Sequence, residues 1–212
     1  SLAEKWFGPI PAGNKYVRQL PTEPKQTAPR LLETKANVPL DALYKTWHMY
    51  SRTDDRYYAA DLITDILGGG ASSRLYQQLV KEQQLFSSIE CYHLGSTDPG
   101  MLTIEGKLVK GVSMQTADAA VEAVIQQFVA AGIDAAELEK VKNKTESTMA
   151  FEDMSILNRA SSLAMYALLG DANLINTELS RYQAVTAADI QRERALIFNP
   201  NNSNTLHYLS NN

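Results

Sequence analysis

The periodicity of residues 58–85 constrains the fold more than any other feature of the chain. Before Gly68-Gly69-Gly70, apolar residues recur at four-residue spacing, which predicts an amphipathic helix that ends at glycine. The recurring positions are Tyr58, Leu62 and Ile66, together with Ala59, Ile63 and Leu67. After the glycines, Ser72 or Ser73 can cap a second helix. The stretch therefore predicts two successive helices that are joined at glycine.

Strand patterns flank these two helices. Arg30–Lys35 and Ala42–Tyr50 precede them, and the odd-numbered residues of the second run share one face. Phe86–Leu94 and a run from Met101 to Val109 follow, joined by a turn at Asp98-Pro99-Gly100. This pair predicts an antiparallel hairpin.

The rest of the chain is mainly helical by pattern. One apolar stripe consists of Met114, Ala117, Val121, Val124 and Phe128. Asp134 with Glu137 resembles a capping box that opens a long helical region towards Leu169, and Thr186 with Asp189 caps a later helix. Asn204–Leu209 predicts a final strand. The predicted fold class is α+β, with a mostly antiparallel sheet packed on one side by several helices.

The first forty residues contain six prolines, which predict an extended linker rather than a helix. We therefore expect residues 1–28 to precede the domain and residues 29–212 to form a single α+β domain. An initial Ser in place of Met indicates a processed chain or a piece of a longer protein.

Charge and composition exclude several classes of partner. The net charge is -4 and there is no run of Lys and Arg, so we expect no nucleic acid. The longest apolar runs, such as residues 164–169, are too short to span a bilayer. The composition is that of a soluble globular protein, and the single cysteine, Cys91, leaves the compartment open.

The histidine pattern argues against a metal site or a catalytic centre in this chain. His48, His93 and His207 are far apart, and neither H-E-x-x-H nor H-x-x-E-H occurs. A zinc site assembled from distant histidines stays open as an alternative, although each imidazole more simply satisfies a local hydrogen bond. No G-x-S-x-G motif marks a nucleophile, so we assign no catalytic and no metal-binding residue.

The glycine-rich joint looks like a cradle for phosphate, but it lacks both G-x-x-x-x-G-K-[ST] and G-x-G-x-x-G. Its glycines also follow a helix instead of a strand, which disfavours a nucleotide. Backbone donors at the start of the second helix could still hold a carboxylate or a peptide carbonyl. The candidate substrate-binding residues are Gly68, Gly69, Gly70, Ser72, Ser73 and Arg74.

The run DILGGGASSRLYQQLVKEQQL, residues 65–85, resembles the second-domain signature of insulinase/pitrilysin-type zinc peptidases, which include mitochondrial processing peptidase. The opening EKWFGPIPAG, residues 4–13, resembles the last helix of a preceding domain in these proteins, followed by their Pro-rich linker. The helices over residues 113–198 fit the family in type and order. The resemblance spans about residues 1–210.

In this family two similar α+β domains form each half of a clamshell, and one domain carries H-x-x-E-H and zinc. The resemblance therefore implies a zinc-free, non-catalytic domain that helps to enclose a peptide substrate. Zinc would lie in the companion domain, on the same chain or on a partner subunit. Val80 and Ser87 stand where many zinc-free domains have an Arg and a Tyr. Neither supplies a charge-assisted donor or a phenol, so we expect no direct help to catalysis.

Two other functions stay open. One is a proteolytically inactive scaffold, comparable to the core subunits of respiratory complexes, and the other is a generic anion or nucleotide binder. An H-x-x-E-H roughly 150 residues before the linker would favour the peptidase. The peptide, the partner and the compartment, bacterial periplasm or cytoplasm, are not fixed by these residues.

Overall fold

The computed structural model describes residues 1–14, 16, 17, 19, 21 and 23–211. The expected linker includes residues 15, 18, 20 and 22, which lie outside the described residues. Helix α1, Leu2–Phe7, opens the chain and has no buried residue.

Five strands form one mixed sheet. In chain order they are β1 Arg30–Ala36, β2 Ala42–Met49, β3 Phe86–Leu94, β4 Gly100–Leu108 and β5 Ser203–Ser210. Their order across the sheet is β1-β5-β2-β4-β3. Only the β1–β5 pair is parallel, so the mostly antiparallel sheet predicted from the sequence is confirmed. The last strand lies near the centre of the sheet, between β1 and β2.

The helices follow the predicted order, except that two helices, rather than one, lie between Asp134 and Leu169. Their bounds are α2 Tyr57–Gly68, a π-helix Tyr76–Glu82, α3 Met114–Ala131, α4 Ala135–Glu152, α5 Ile156–Leu168, α6 Leu174–Ala184 and α7 Ala187–Ile197. The single long helical region expected after Asp134 is wrong, since it divides into α4 and α5. The division occurs because the Ser155 hydroxyl accepts the backbone N–H of Asn158 and begins a new helix.

The core lies between the helices and one face of the sheet. Helix α2 buries ten of its twelve residues, and all five predicted stripe residues of α3 are buried. Along β2 the odd-numbered residues from Leu43 to Met49 are buried, which confirms the predicted face. Tyr44, Thr46 and His48 on the opposite face are only half-buried. Helices therefore cover one side of the sheet and leave the other side open.

Among the described residues, no single helix is long and apolar enough to cross a bilayer. Helices α3 and α4 reach the necessary length and apolar composition only when they are taken together, and the two helices meet at a bend of 110°.

Candidate functional site

The glycines at the end of α2 allow the helix to approach the sheet closely. A Cβ on Gly68 would lie 2.0 Å from the backbone nitrogen of Cys91 in β3. Gly70 has a φ of +107°, which only glycine adopts readily. The carbonyl of Gly69 accepts a hydrogen bond from Lys144 Nζ at 2.7 Å. The prediction that the first helix ends at these glycines is confirmed.

The serines do not cap the second helix through their side chains. The buried Ser73 hydroxyl instead donates to the carbonyl of Gly70 at 2.7 Å. Ser72 is exposed, and its carbonyl accepts a hydrogen bond from Lys140 Nζ at 3.2 Å. The predicted serine cap is therefore wrong, because the turn at Gly70 directs the Ser73 hydroxyl backwards to the glycine carbonyl.

The second helix is a π-helix over most of its length. Its wider turn appears in the hydrogen bond from Gln83 N to Gln78 O, which spans five residues. The helix is followed by Gln84, which has a positive φ of 53°. Val80 is half-buried against the core. Ser87, exposed at the start of β3, donates to the carbonyl of Lys107 at 3.1 Å.

Arg74 ties this joint to the turn between α3 and α4. Its guanidinium forms a bidentate pair with Glu137, at 2.9 Å (Nε–Oε1) and 2.5 Å (Nη2–Oε2). It also donates to the carbonyl of Gly132 at 3.0 Å. Asp134 caps α4 as predicted, since it accepts the N–H of Glu137 at 2.7 Å. The expected full capping box is wrong, because the Glu137 carboxylate is engaged by Arg74.

A cleft of about 380 Å³ lies between the joint and β3. It is lined by Gly68, Gly70, Ala71, Tyr76, Ser87, Ser88, Ile89 and Glu90. Strand β3 is an edge of the sheet, and within the described residues it pairs with β4 alone. The structure thus brings two of the predicted site residues, Gly68 and Gly70, together with Ser87. The lining of the cleft does not include Gly69, Ser72, Ser73, Arg74 or Val80.

Sequence patterns do not mark the remaining cleft residues as parts of a site. Ala71 and Tyr76 lie within the run at residues 65–85, and Ser88, Ile89 and Glu90 lie within the predicted strand Phe86–Leu94. Their association depends on which strand forms the edge of the sheet, which neither pattern reveals.

A polar network connects α2 to the other end of β3. His93 Nε2 lies 2.7 Å from Asp61 Oδ1 and 3.0 Å from the Tyr57 hydroxyl, while Tyr182 donates to the other Asp61 oxygen. Burial alone would raise the pKa of Asp61, but the hydrogen bonds and charge of His93 and the hydrogen bond of Tyr182 outweigh it. The pKa of this carboxyl consequently lies below its ordinary value.

The other two histidines lie beside carboxylates. His207 Nε2 is 3.1 Å from Asp118 Oδ2, and His48 Nε2 is 3.5 Å from Glu23 Oε1. Within the described residues, no group of three or more His, Cys, Asp and Glu side chains could hold a metal ion. Burial raises the pKa of the Cys91 thiol far above its usual range, so this thiol is protonated and unreactive.

Comparison with known proteins identifies the family of the chain. Residues 1–145 match the family described as the peptidase M16 inactive domain. The chain belongs to this family. Membership confirms the resemblance to a zinc-free, non-catalytic domain that the joint at residues 65–85 indicated.

The chain is 27% identical over 146 residues to the uncharacterized zinc protease YmxG of Bacillus subtilis (strain 168). That match covers 69% of this chain and 35% of YmxG. By structure it resembles a protease from Helicobacter pylori, with a TM-score of 0.88 and 20% identity over 98% of this chain and 51% of the other. It also resembles a peptidase M16 inactive domain from Pseudomonas fluorescens, with a TM-score of 0.74 and 18% identity over 90% and 45% of the two chains. The chain thus spans about a third to a half of these relatives.

Proposed function

We propose that this inactive peptidase domain forms part of an enclosed peptide-binding chamber and packs against the zinc-bearing domain of its parent protein. The observation that carries the proposal is the cleft beside β3, which within the described residues is an edge strand with one neighbour. An extended peptide can add to such an edge as a further strand, through main-chain hydrogen bonds that do not depend on its sequence. An unfolded substrate fits this mode of binding.

The open face of the sheet supports the same function. The hydroxyls of Tyr44 and Tyr92 both donate to Glu105, at 3.4 and 3.2 Å. Thr46 and His48 lie on the same face and are half-buried. A polar surface of tyrosine, threonine and carboxylate groups suits the wall of a chamber that holds a polar peptide backbone.

The candidate substrate-binding residues divide into two roles. Gly68 and Gly70 border the cleft: the missing side chain of Gly68 lets α2 approach β3, and that of Gly70 leaves open space for a bound peptide. The other four candidates stabilise the joint through hydrogen bonds. These join Gly69 to Lys144, Ser72 to Lys140, Ser73 to Gly70 and Arg74 to Glu137. Val80 and Ser87 supply no cation or phenol to a transition state.

The zinc ion belongs to the companion domain, on the same chain or on a partner subunit. The zinc protease among the relatives is much longer than this chain, which supports this assignment. The exposed α1 supports a boundary near residue 28, since a helix without buried residues has no packing partner in the domain of residues 29–212.

The test is the binding of a fluorescent, unstructured peptide to the chain, followed by anisotropy. Ala71 is exposed and borders the cleft, so Ala71→Trp fills it without disturbing the core. We expect at least about tenfold weaker binding, or roughly 1.4 kcal/mol. The matched control is Ala119→Trp on the exposed side of α3, which should bind as the unaltered chain does. No binding by the unaltered chain, or equal binding by both variants, would favour the scaffold function.

A further inference from the structure

Three asparagines lie together where the chain leaves α7. The run Asn199-Pro200-Asn201-Asn202 follows the helix, and its last three residues form a short 3₁₀ turn before β5. Among the described residues, the Asn199 side chain uses only Oδ1, which accepts the backbone N–H of Asn201 at 2.9 Å. The Asn202 side chain uses only Nδ2, which donates to two backbone carbonyls at 3.2 Å. The turn therefore presents amide donors and acceptors that are still available to a ligand.

This turn borders a pocket of about 630 Å³ between α7, the end of β2 and the segment that enters the domain. Its lining also includes Lys25, Gln26 and Arg56. No Asp or Glu side chain of the described residues lines the pocket. The lining is therefore positively charged, in a chain whose net charge is -4.

The two cations of the pocket keep donors for an anion. Lys25 is exposed and forms no ion pair in the part of the chain that the structure describes. Arg56 uses Nε and Nη2 to bind Asp54, at 2.9 and 2.6 Å, which leaves Nη1 as a donor. The Arg56 guanidinium lies 4.0 Å from the centre of the Tyr50 ring, and the Tyr50 hydroxyl donates to Glu193 at 2.5 Å. A carboxylate would accept charge-assisted hydrogen bonds from both cations.

Gln26 contributes a buried acceptor that lacks a donor. Only 7% of the residue is exposed, and its Nε2 donates to the carbonyls of Ala28 and Ser203 at 2.7 and 2.8 Å. Turning the amide over would place Oε1 against these two carbonyls, so its orientation is fixed. Within the described residues, no group donates to Oε1. An unpaired buried acceptor costs free energy, and a donor that arrives with a ligand would remove that cost.

We propose that this pocket binds the carboxyl-terminal end of a peptide. The terminal carboxylate pairs with the two cations, and the adjoining N–H and C=O groups bind the available acceptors and donors of Gln26 and the asparagines. Leu196, which is 52% exposed in the lining, provides an apolar contact for the terminal side chain. The inference goes beyond the proposed function, because this pocket shares no lining residue with the cleft at β3.

Calorimetric titration of the 212-residue chain with two short peptides tests the proposal. One is an acetylated peptide that ends in leucine with a free carboxylate, and the other is the same peptide ending in an amide. We expect the free acid to bind at least about tenfold more tightly, because the amide cannot accept charge-assisted hydrogen bonds as a carboxylate does. Equal affinities, or no binding of the acid, would overturn the proposal.

Acetate is the third probe, because it carries a carboxylate without the peptide groups. At the same concentration it should not displace the acid. Equally effective displacement would mean that the pocket accepts any carboxylate, and the assignment to a peptide terminus would be wrong.

A matched pair of variants assigns the binding to the pocket. Lys25→Gln should weaken binding of the acid about tenfold, since one charged donor is lost. The control, Lys110→Gln, makes the same change of charge at an exposed position beyond β4, at the opposite end of the sheet, and should bind as the unaltered chain does. The side-chain amide signal of Gln26 should also shift in NMR spectra when the acid is added. Equal affinities for the two variants, or an unmoved Gln26 signal, would contradict the proposal.

Ala71→Trp separates this inference from the proposed function. The variant fills the cleft at β3 and should leave the binding of the short acid unchanged. If it abolished that binding, the acid would lie in the cleft, and the present proposal would fail while the proposed function stood. Failure of the proposed function is seen separately, in the anisotropy of the fluorescent peptide.

Discussion

Helices α2 and α5 are nearly equal in length and both rich in apolar residues, yet they are packed in opposite ways. Helix α2 buries ten of its twelve residues against β3 and neighbouring helices, while α5 buries none of its thirteen. Apolar spacing thus predicts that a helix forms, but not whether its partner lies in the same domain. The difference separates the part of the molecule whose apolar side chains hold the fold together from a helix whose apolar side chains lie on the surface.

The largest expected effect comes from making the same truncation in both helices. Leu67→Ala in α2 removes a fully buried side chain and should lower the free energy of unfolding by roughly 2 to 5 kcal/mol. Leu157→Ala in α5 should change it by less than about 0.5 kcal/mol. Urea denaturation of the isolated chain measures both. A comparable loss from Leu157→Ala would show that α5 packs on this domain after all.

A pair of arginines gives the next contrast. Arg74→Ala leaves the partly buried Glu137 carboxylate without its bidentate partner and should cost about 1 to 3 kcal/mol. Arg159→Ala, on the exposed surface of α5, should be close to neutral. Chemical denaturation of Arg74→Ala, of Glu137→Ala and of the double variant gives a double-mutant cycle, with Arg159→Ala as the exposed control. If the losses for Arg74 and Glu137 were simply additive, the pair would not hold the joint.

The loss of folding stability at low pH should come from the packed region of the molecule. Burial alone would raise the pKa of Asp118, but its hydrogen bond and ion pair with Lys45, helped by His207, bring the pKa below its ordinary value. A depressed carboxyl pKa stabilises the fold above the unfolded pKa of about 3.9, and that contribution is lost as the pH falls through the folded value.

We therefore expect Asp118→Asn to lower stability at pH 7 and to flatten the loss of stability below about pH 4, compared with the unaltered chain. Asp153→Asn, at an exposed carboxylate between α4 and α5, is the matched control and should leave the profile unchanged. Thermal unfolding between pH 2 and pH 7 gives both profiles. An unaltered acid response in Asp118→Asn would place the titrating carboxyl elsewhere.

The spacing of apolar residues along the chain explains which elements could be predicted from the sequence. All five strands, the buried faces of α2 and α3, and the helix end at the glycines follow from spacing within a few residues. The insertion of β5 between β1 and β2 could not be predicted, because it depends on pairing with strands more than 150 residues away. The division of α4 from α5 was missed, since the Ser155 cap lies within a continuous helical pattern.

The cleft was predictable only in part. The glycines marked the joint, but the contribution of Tyr76 and Glu90 depends on the π-helix and on β3 being an edge strand. Arg74 was predicted as a substrate-binding residue, and sequence spacing alone gave no sign that Glu137, 63 residues later, would engage its guanidinium.

The smallest expected effect concerns two helix caps. Thr186→Ala removes one half of the capping box of α7, which packs in the core, and should cost about 1 kcal/mol. Ser155→Ala removes the cap of α5 and should cost less than half as much in global stability, because α5 can fray without exposing the core. Hydrogen exchange should instead show faster exchange in α5 alone. Equal global losses would mean that α5 unfolds together with the core.

The central claim is that this domain holds a peptide without cleaving it. The most direct measurement incubates the pure chain with zinc and an unstructured peptide and follows the products by mass spectrometry. The peptide should stay intact, because in the proposed function the zinc ion lies in the companion domain. Turnover that requires zinc and stops on chelation, in material free of other peptidases, would contradict it.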